Sequence, residues 1–282
     1  MNQKITRECD ASGSDKTSAL VLVKLGGSLI TDKTKPFTAR SHILRRLSRE
    51  IHEARESANM RLIVGHGGGS FPHKFAEMFK TNLGIVNADS REGISLVQDS
   101  AATLNRIVVK SLIKAGEHAI SVQPSSALVA ENGRIKRWNL QPIREMLKHD
   151  LLPVPYGDVA LDIKKGCCII STEEILNYLA RQFKPKRIIL AGITDGVFTS
   201  DPHEDPNAKL ISVVDSSNYS DVRRYLAGSA GIDVTGGMLH KIDRIFELTR
   251  IGVEAEVING QTSGHLKRAI LGERGLGTII RF

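Results

Sequence analysis

Lysines and a histidine stand next to runs of glycine at several points in this chain. The stretch VKLGGSLITDK puts Lys24 just ahead of Gly26, Gly27 and Ser28 and ends on Lys33. The stretch GHGGGSFPH follows Gly68 and Gly69 with His73. A third pair, Gly236 and Gly237, precedes Lys241. Glycine lets backbone N–H groups approach an oxyanion without a Cβ in the way, and a helix that starts just afterwards adds a favourable dipole. One isolated Gly-Gly reads most simply as a tight turn. Three such turns beside three lysines suit a reaction in which negative charge is neutralised on a phosphoryl group in transfer. The first two turns lack the spacing of a P-loop or of a dinucleotide fingerprint. One could therefore hold a donor phosphate and the other an acceptor phosphate.

The elements that must position these residues alternate. ALVLVKLGG and MRLIVGHGGG read as strands buried on both faces, each running into its glycine turn. Between them, Ile43, Leu44, Leu47, Ile51 and Ala54 have helical spacing. A helix is expected around 73–79, and a longer one from about Arg91 to Lys114. HAISVQPS reads as a strand, PIREMLKHD as a helix, and LLPVPYGDVALD as one strand running into a loop. TEEILNYLARQF reads as a helix capped by Thr172 with acids in its first turn. RIILAG is a further buried strand, followed by the acidic loop ITDG. Short connections between alternating elements imply an α/β fold, a three-layer αβα sandwich around a mostly parallel sheet. In such sheets ligands sit at the carboxyl ends of strands, which also places Gly157, Asp158 and Asp195 at the site. Residues 1–18 are polar and read as a tail, leaving 19–282 as a single domain.

Composition narrows the classes. The chain has 282 residues, of which 41% are apolar and 25% charged, enough for a real core. Its apolar runs are too short to cross a bilayer, so no membrane partner is expected. The net charge of +8 admits nucleic acid or anionic small molecules. Aromatics are only 5% and the basic residues are scattered apart from IKRW and KPKR, which argues against nucleic acid. Cys9, Cys167 and Cys168 give neither a disulfide framework nor metal-ligand spacing. The adjacent pair reads as packing, and a cytoplasmic location is the default.

Taken together, KLGGSLITDK, GHGGGSFPH, YGDVALD, ITDGVFTSDP and DVTGGMLHK resemble the amino acid kinase family, most closely its isopentenyl phosphate kinases, from Ala19 to Phe282. The resemblance implies an acceptor-binding lobe to about residue 160, a nucleotide-binding lobe after it, and a homodimer. It implies ATP-dependent phosphorylation of isopentenyl monophosphate to the diphosphate. Lys24 would contact the phosphoryl group in flight, and Lys33 would stabilise the transition state. Leu25, Gly26, Gly27, Ser28, Gly69, Asp195, Gly237 and Lys241 would surround ATP, with Lys241 at its phosphates. Gly68, His73, Gly157 and Asp158 would meet the acceptor. Mg²⁺ would bridge ATP oxygens, with no protein metal site of its own. An imidazole at His73 can donate to a dianionic phosphate whether neutral or charged. Phe75, Met78 and Phe79 would face an apolar substrate tail or pack in the core.

Two positions depart from the family pattern. Pro72 stands where a glycine is expected, fixing φ and removing one N–H ahead of His73. STEE stands where a run like SGDD is expected, so Glu173 would have to organise the lysines with a carboxylate one methylene longer. The rival readings are a kinase for another small phosphate or phosphonate such as fosfomycin, and a non-catalytic nucleotide-binding protein of the same fold.

Overall fold

β1 (Leu20–Leu25) is buried at all six positions, as a strand covered on both faces must be. It leads through α1 (Gly27–Ile30) to α2 (Ser41–Ser57), β2 (Arg61–His66), α3 (His73–Met78) and α4 (Ser90–Lys114). Then come β3 (Ala119–Val122), β4 (Leu128–Glu131), β5 (Arg134–Trp138), α5 (Gln141–Lys148), β6 (Leu152–Pro155), β7 (Asp158–Asp162) and β8 (Gly166–Ile170). The rest is α6 (Thr172–Phe183), β9 (Arg187–Gly192), β10 (Val197–Phe198), β11 (Leu210–Ile211), β12 (Val213–Val214), α7 (Tyr219–Gly228), α8 (Gly237–Thr249), β13 (Glu254–Asn259), α9 (His265–Leu271) and β14 (Gly277–Ile280). This computed structural model describes residues 18–202, 204–228 and 237–282, with backbone alone at 227, 228, 237, 238, 240 and 241.

The central sheet has the order β12-β14-β13-β9-β1-β2. A parallel bridge from His66 to Tyr156 continues it into β6 and then β3. β14 pairs antiparallel with β13 and parallel with β12, so β12 at the edge and β14 beside it run against the rest. Alternate residues of β1 feed two separate cores. Leu20 and Leu22 pack with Ile175 and Leu179 of α6 and Ile245 of α8. Val21, Val23 and Leu25 pack with Leu47 of α2, Leu104 of α4 and Leu266 of α9. That is the expected three-layer sandwich, with a period of 2 on the strand assigning each residue to a layer.

Three local expectations change. LLPVPYGDVALD is two strands in two sheets: β6 extends the main sheet, while β7 joins a smaller sheet of order β5-β4-β7-β8. Tyr156 and Gly157 make the corner between them. The basic IKRW segment belongs to β5, where Ile135 and Trp138 are buried while Lys136 and Arg137 face solvent. Its charge is the wet face of an amphipathic strand. The cap of α6 is Ser171, whose hydroxyl accepts from the Glu174 N–H at 3.2 Å. Thr172 is instead the first helical residue, and its hydroxyl donates to the His66 carbonyl at 2.7 Å. Cys167 and Cys168 are free and buried, as packing residues should be.

Candidate active site

The two glycine turns touch. A Cβ on Gly27 would lie 2.5 Å from the Gly69 nitrogen, and one on Gly67 would lie 2.9 Å from the Gly27 nitrogen. No side chain fits between them, so both backbones open onto the same space. Gly69 adopts φ +55°, and a Cβ there would strike the Thr31 hydroxyl at 2.1 Å. That hydroxyl ties the turns together, donating to the Gly27 carbonyl at 2.7 Å and accepting from the Ser70 N–H at 3.0 Å. β1 and β2 bring them into register, since Lys24 pairs with Gly65 and Leu25 with His66.

Lys24 is a charged residue in an otherwise apolar strand and is only 9% exposed. Its ammonium meets Glu173 in the first turn of α6 at 2.6 Å, with both side chains almost buried. Burying an ion pair costs desolvation, and a lysine held this way keeps a fixed position and orientation. Gly65 makes the approach of α6 possible, because a Cβ there would be 3.0 Å from the Thr172 methyl group. Glu173, the longer carboxylate of the STEE run, therefore reaches the lysine.

A cleft of about 500 Å³ opens beside this pair. Its walls include Lys24, Gly27, Ser28, Lys33, Gly68, Gly69, His73, Gly157, Asp158 and Glu173. Ten of the sequence-derived site residues thus share one cavity. Lys33 reaches it from the loop between Thr31 and Ala39, which pair as an isolated bridge. That loop is anchored by Phe37, whose ring packs against Phe71 at 5.8 Å and Phe75 at 5.5 Å. Pro72 replaces the expected glycine and closes over Gly68, where a Cβ would be 2.3 Å from the proline ring. It takes helical φ and ψ just ahead of His73, so the proline stiffens the turn without distorting it.

The other assigned residues stand elsewhere. The Leu25 side chain is 1% exposed in the core, so its part in the site is backbone alone; its carbonyl accepts from the Gly67 N–H at 3.0 Å. Gly26 donates to the Ala191 carbonyl at 2.8 Å. Asp195 lies after β9, outside this cleft, and accepts from the Asn259 amide at 2.9 Å. Gly237 and Lys241 lie on α8, where the Lys241 side chain is outside what is described, and Thr235 and Gly236 fall outside the described residues altogether. Phe75, Met78 and Phe79 do not line the cleft. Phe75 turns into a small cluster with Val97, while Met78 is 59% exposed. Helical spacing would put the three on one stripe, but the helix ends at Met78 and Phe79 packs against Gly93 of α4. The apolar wall is instead Pro72, Ala76, Val97, Cys168, Ile169 and Ile170.

Electrostatics separate two further groups. Burial pushes the Asp158 carboxyl up to about 6, against hydrogen bonds from Ser125 and Val159 that favour its ionised form. His66, at the end of β2, is held neutral: burial lowers it to about 4. Its Nδ1 lies 3.1 Å from the Gly67 carbonyl and its Nε2 3.1 Å from the Asn105 amide, and its ring stacks on Tyr156. The proton therefore sits on Nδ1, and the imidazole braces the second glycine turn from beneath. His66, Thr31 and Asn105 went unmarked in the sequence because their roles depend on partners far away in the chain. Only Gly67, within the glycine run itself, carried a local signal.

Residues 19–259 match the model of the amino acid kinase family. The chain is 37% identical over 269 residues to the isopentenyl phosphate kinase of Methanothermobacter thermautotrophicus, covering 93% of this chain and 98% of that one. It is 35% identical to the enzyme of the same name from Methanocaldococcus jannaschii, covering 90% and 96%. A crystal structure of isopentenyl phosphate kinase superposes with a TM-score of 0.80 at 34% identity, covering 93% of this chain and 99% of that one. The aspartate kinase of Synechocystis, at 16% identity and a TM-score of 0.64, shares the fold. Two touching glycine turns around a buried lysine, on this sheet and with these relatives, establish that the chain belongs to the amino acid kinase family, in its isopentenyl phosphate kinase branch.

Proposed function

We propose that the cleft transfers the γ-phosphoryl group of ATP to isopentenyl phosphate, giving isopentenyl diphosphate and ADP. The observation that carries this reading is Lys24, fixed by Glu173 at 2.6 Å where the two glycine turns meet. An oxygen of the acceptor phosphate forms the new bond to the γ-phosphorus as the bond to the β,γ-bridging oxygen breaks, and ADP leaves with that electron pair. A phosphate monoester is largely dianionic near neutral pH, because its second pKa is about 6, so no general base is required. The residues then have electrostatic work. Lys24 and Lys33 balance the charge on the transferring group, the glycine N–H groups hold phosphate oxygens, and His73 donates to the acceptor. The apolar wall from Ala76 to Ile170 suits a short hydrocarbon tail better than a polar phosphonate.

Mg²⁺ fits as an ion carried by ATP. Among the described residues no group of three or more His, Cys, Asp or Glu could hold a metal. Glu173 is engaged by Lys24, and both Asp158 oxygens accept backbone N–H groups. When bound, the ion would supply positive charge that offsets the negative charge of the ATP phosphates. The reading extends to a lobe division near residue 160, a cytoplasmic location and a homodimer. Exposed Ile113 and Ile120, at the end of α4 and on the edge strand β3, are side chains that a second copy would cover.

The test is ADP release with ATP and Mg²⁺, comparing isopentenyl phosphate, fosfomycin, acetylglutamate and UMP. Turnover on isopentenyl phosphate alone is expected, with His73→Ala raising its KM roughly tenfold or more as one charge-assisted hydrogen bond is lost. Turnover on fosfomycin instead, or on none of the four while ATP still binds, would sink the reading.

A further inference from the structure

Asp162 is a carboxylate that the phosphate chemistry does not use. It lies at the far end of β7, and the strand begins at Asp158 beside the glycine turns. Three residues lie between the two, and four steps of about 3.3 Å each put them about 13 Å apart. Asp162 is 3% exposed, and each of its oxygens accepts from backbone. Oδ2 takes the Gly133 N–H at 2.7 Å, and Oδ1 takes those of Lys164 at 2.9 Å and Lys165 at 3.1 Å. Burial alone would raise its pKa, but these donors outweigh it and hold the group at about 2, so it is ionised at any working pH.

Those donors belong to two different turns. Gly133 is the tip of the β4–β5 hairpin and Lys165 the tip of β7–β8, and both line the cleft. A third segment hangs on the second tip. The Ile85 N–H donates to the Lys165 carbonyl at 2.8 Å, and a Cβ on Gly84 would lie 2.4 Å from that same oxygen. The Ile85 side chain covers Gly166, where a Cβ would meet it at 2.8 Å. This segment brings Asn82 to the cleft wall. Three separate pieces of the outer wall, at Gly133, Lys165 and Asn82, are therefore set directly or at one remove by a single carboxylate.

We infer that Asp162 is a positioning residue for the acceptor: it fixes the outer wall of the cleft, remote from the phosphates, and so governs how the organic part of the acceptor is held. The inference rests on the kinase reading above and goes further by separating the wall from the phosphate machinery. Asp162→Asn keeps size and shape but replaces one acceptor oxygen with an NH₂ group that must face an N–H. The phosphate-binding turns are untouched by that change.

Steady-state kinetics of wild type and Asp162→Asn, varying ATP and isopentenyl phosphate separately, read this out. The expected result is an acceptor KM raised roughly tenfold, as one or two hydrogen bonds to a charged group are lost, with the ATP KM and kcat within about twofold of wild type. Asp162→Glu, which keeps the charge, should recover part of the acceptor KM. A fall in kcat with both KM values unchanged, or equal rises in both, would mean that Asp162 merely supports the fold and would overturn the inference. If Asp162→Asn does not fold, the Asp162→Glu kinetics decide by the same criterion. Wild type inactive on isopentenyl phosphate would remove the kinase reading and this inference with it, an outcome distinct from an active wild type whose variant shows no KM split.

Discussion

At the scale of single residues, Lys24 and His66 show how burial makes ordinary side chains specific. Lys24 sits among apolar neighbours and stays useful because Glu173 fixes its ammonium. Lys24→Met keeps the bulk and removes the charge, so kcat is expected to fall by roughly 10²–10³, the cost of one preorganised electrostatic contact, while ATP binding measured by calorimetry changes far less. His66 makes a prediction about pH. Its folded pKa of about 4 lies below the ordinary 6.5 because burial disfavours the imidazolium. A depressed base contributes stability that is complete above 6.5 and is lost as pH falls toward 4, up to about 3 kcal/mol. Asp158 runs the other way. Raised from 3.8 to about 6 by burial, it contributes stability present below 3.8 that is lost as pH rises through 6. Between pH 4 and 6 the two slopes oppose each other. Urea melts across that range should show His66→Gln gaining stability relative to wild type on acidification, and Asp158→Asn losing it.

At the scale of elements, the site is the place where two strand ends are forced together. β1 and β2 are parallel neighbours, so their glycine turns emerge side by side, and Thr31 staples one to the other. Gly27→Ala would push a methyl group into the Gly69 backbone, where no side chain can give way. The expected cost is about 1–3 kcal/mol of stability from overpacking, together with a raised ATP KM, since the turns must separate to admit the methyl. Thermal melts and initial rates on the same preparation check both. Gly26→Ala is the comparison: its Cβ would sit 3.0 Å from the Ala191 carbonyl, a tighter fit than usual but without a clash inside the cleft. A Gly27→Ala protein as active and stable as wild type would mean that the contact between the turns is dispensable.

At the scale of the whole molecule, the cleft draws walls from residues on both sides of position 160, including Gly27 and His73 before it and Lys165 and Glu173 after it. Ligands that bind there tie distant parts of the chain together and should stabilise it by mass action. At a hundred times Kd, ATP with Mg²⁺ is expected to add about 2.7 kcal/mol, which raises Tm by roughly 5–11 °C for a chain of this size. Isopentenyl phosphate should add a further shift. Differential scanning fluorimetry with each ligand alone and then both would show it, and a shift from fosfomycin larger than that from isopentenyl phosphate would favour the phosphonate.

The layers and the kind of chemistry are legible in the residues alone. The unbroken apolar run of β1 marks a strand covered on both sides, period-3.6 apolar patterns along α2 and α4 mark their buried faces, and glycine beside lysine marks strand ends where phosphate can approach backbone. Those signals are local, because each depends on residues a few positions apart. Whatever depends on distant partners is settled only by folding. That Glu173 reaches Lys24, that Gly27 abuts Gly69, and that β7 leaves the main sheet at Gly157 follow from elements brought together across long stretches of chain. The apolar wall is Ala76 of the FAEMF helix with Val97 and Ile169, rather than Phe75, Met78 and Phe79, for the same reason: a short helix presents different sides to core, cleft and solvent, and only the packing of α4 and β8 against it selects which side the substrate meets. Asp162 is the extreme case, a lone acid in sequence whose meaning lies entirely in three backbone N–H groups from two turns that folding places around it.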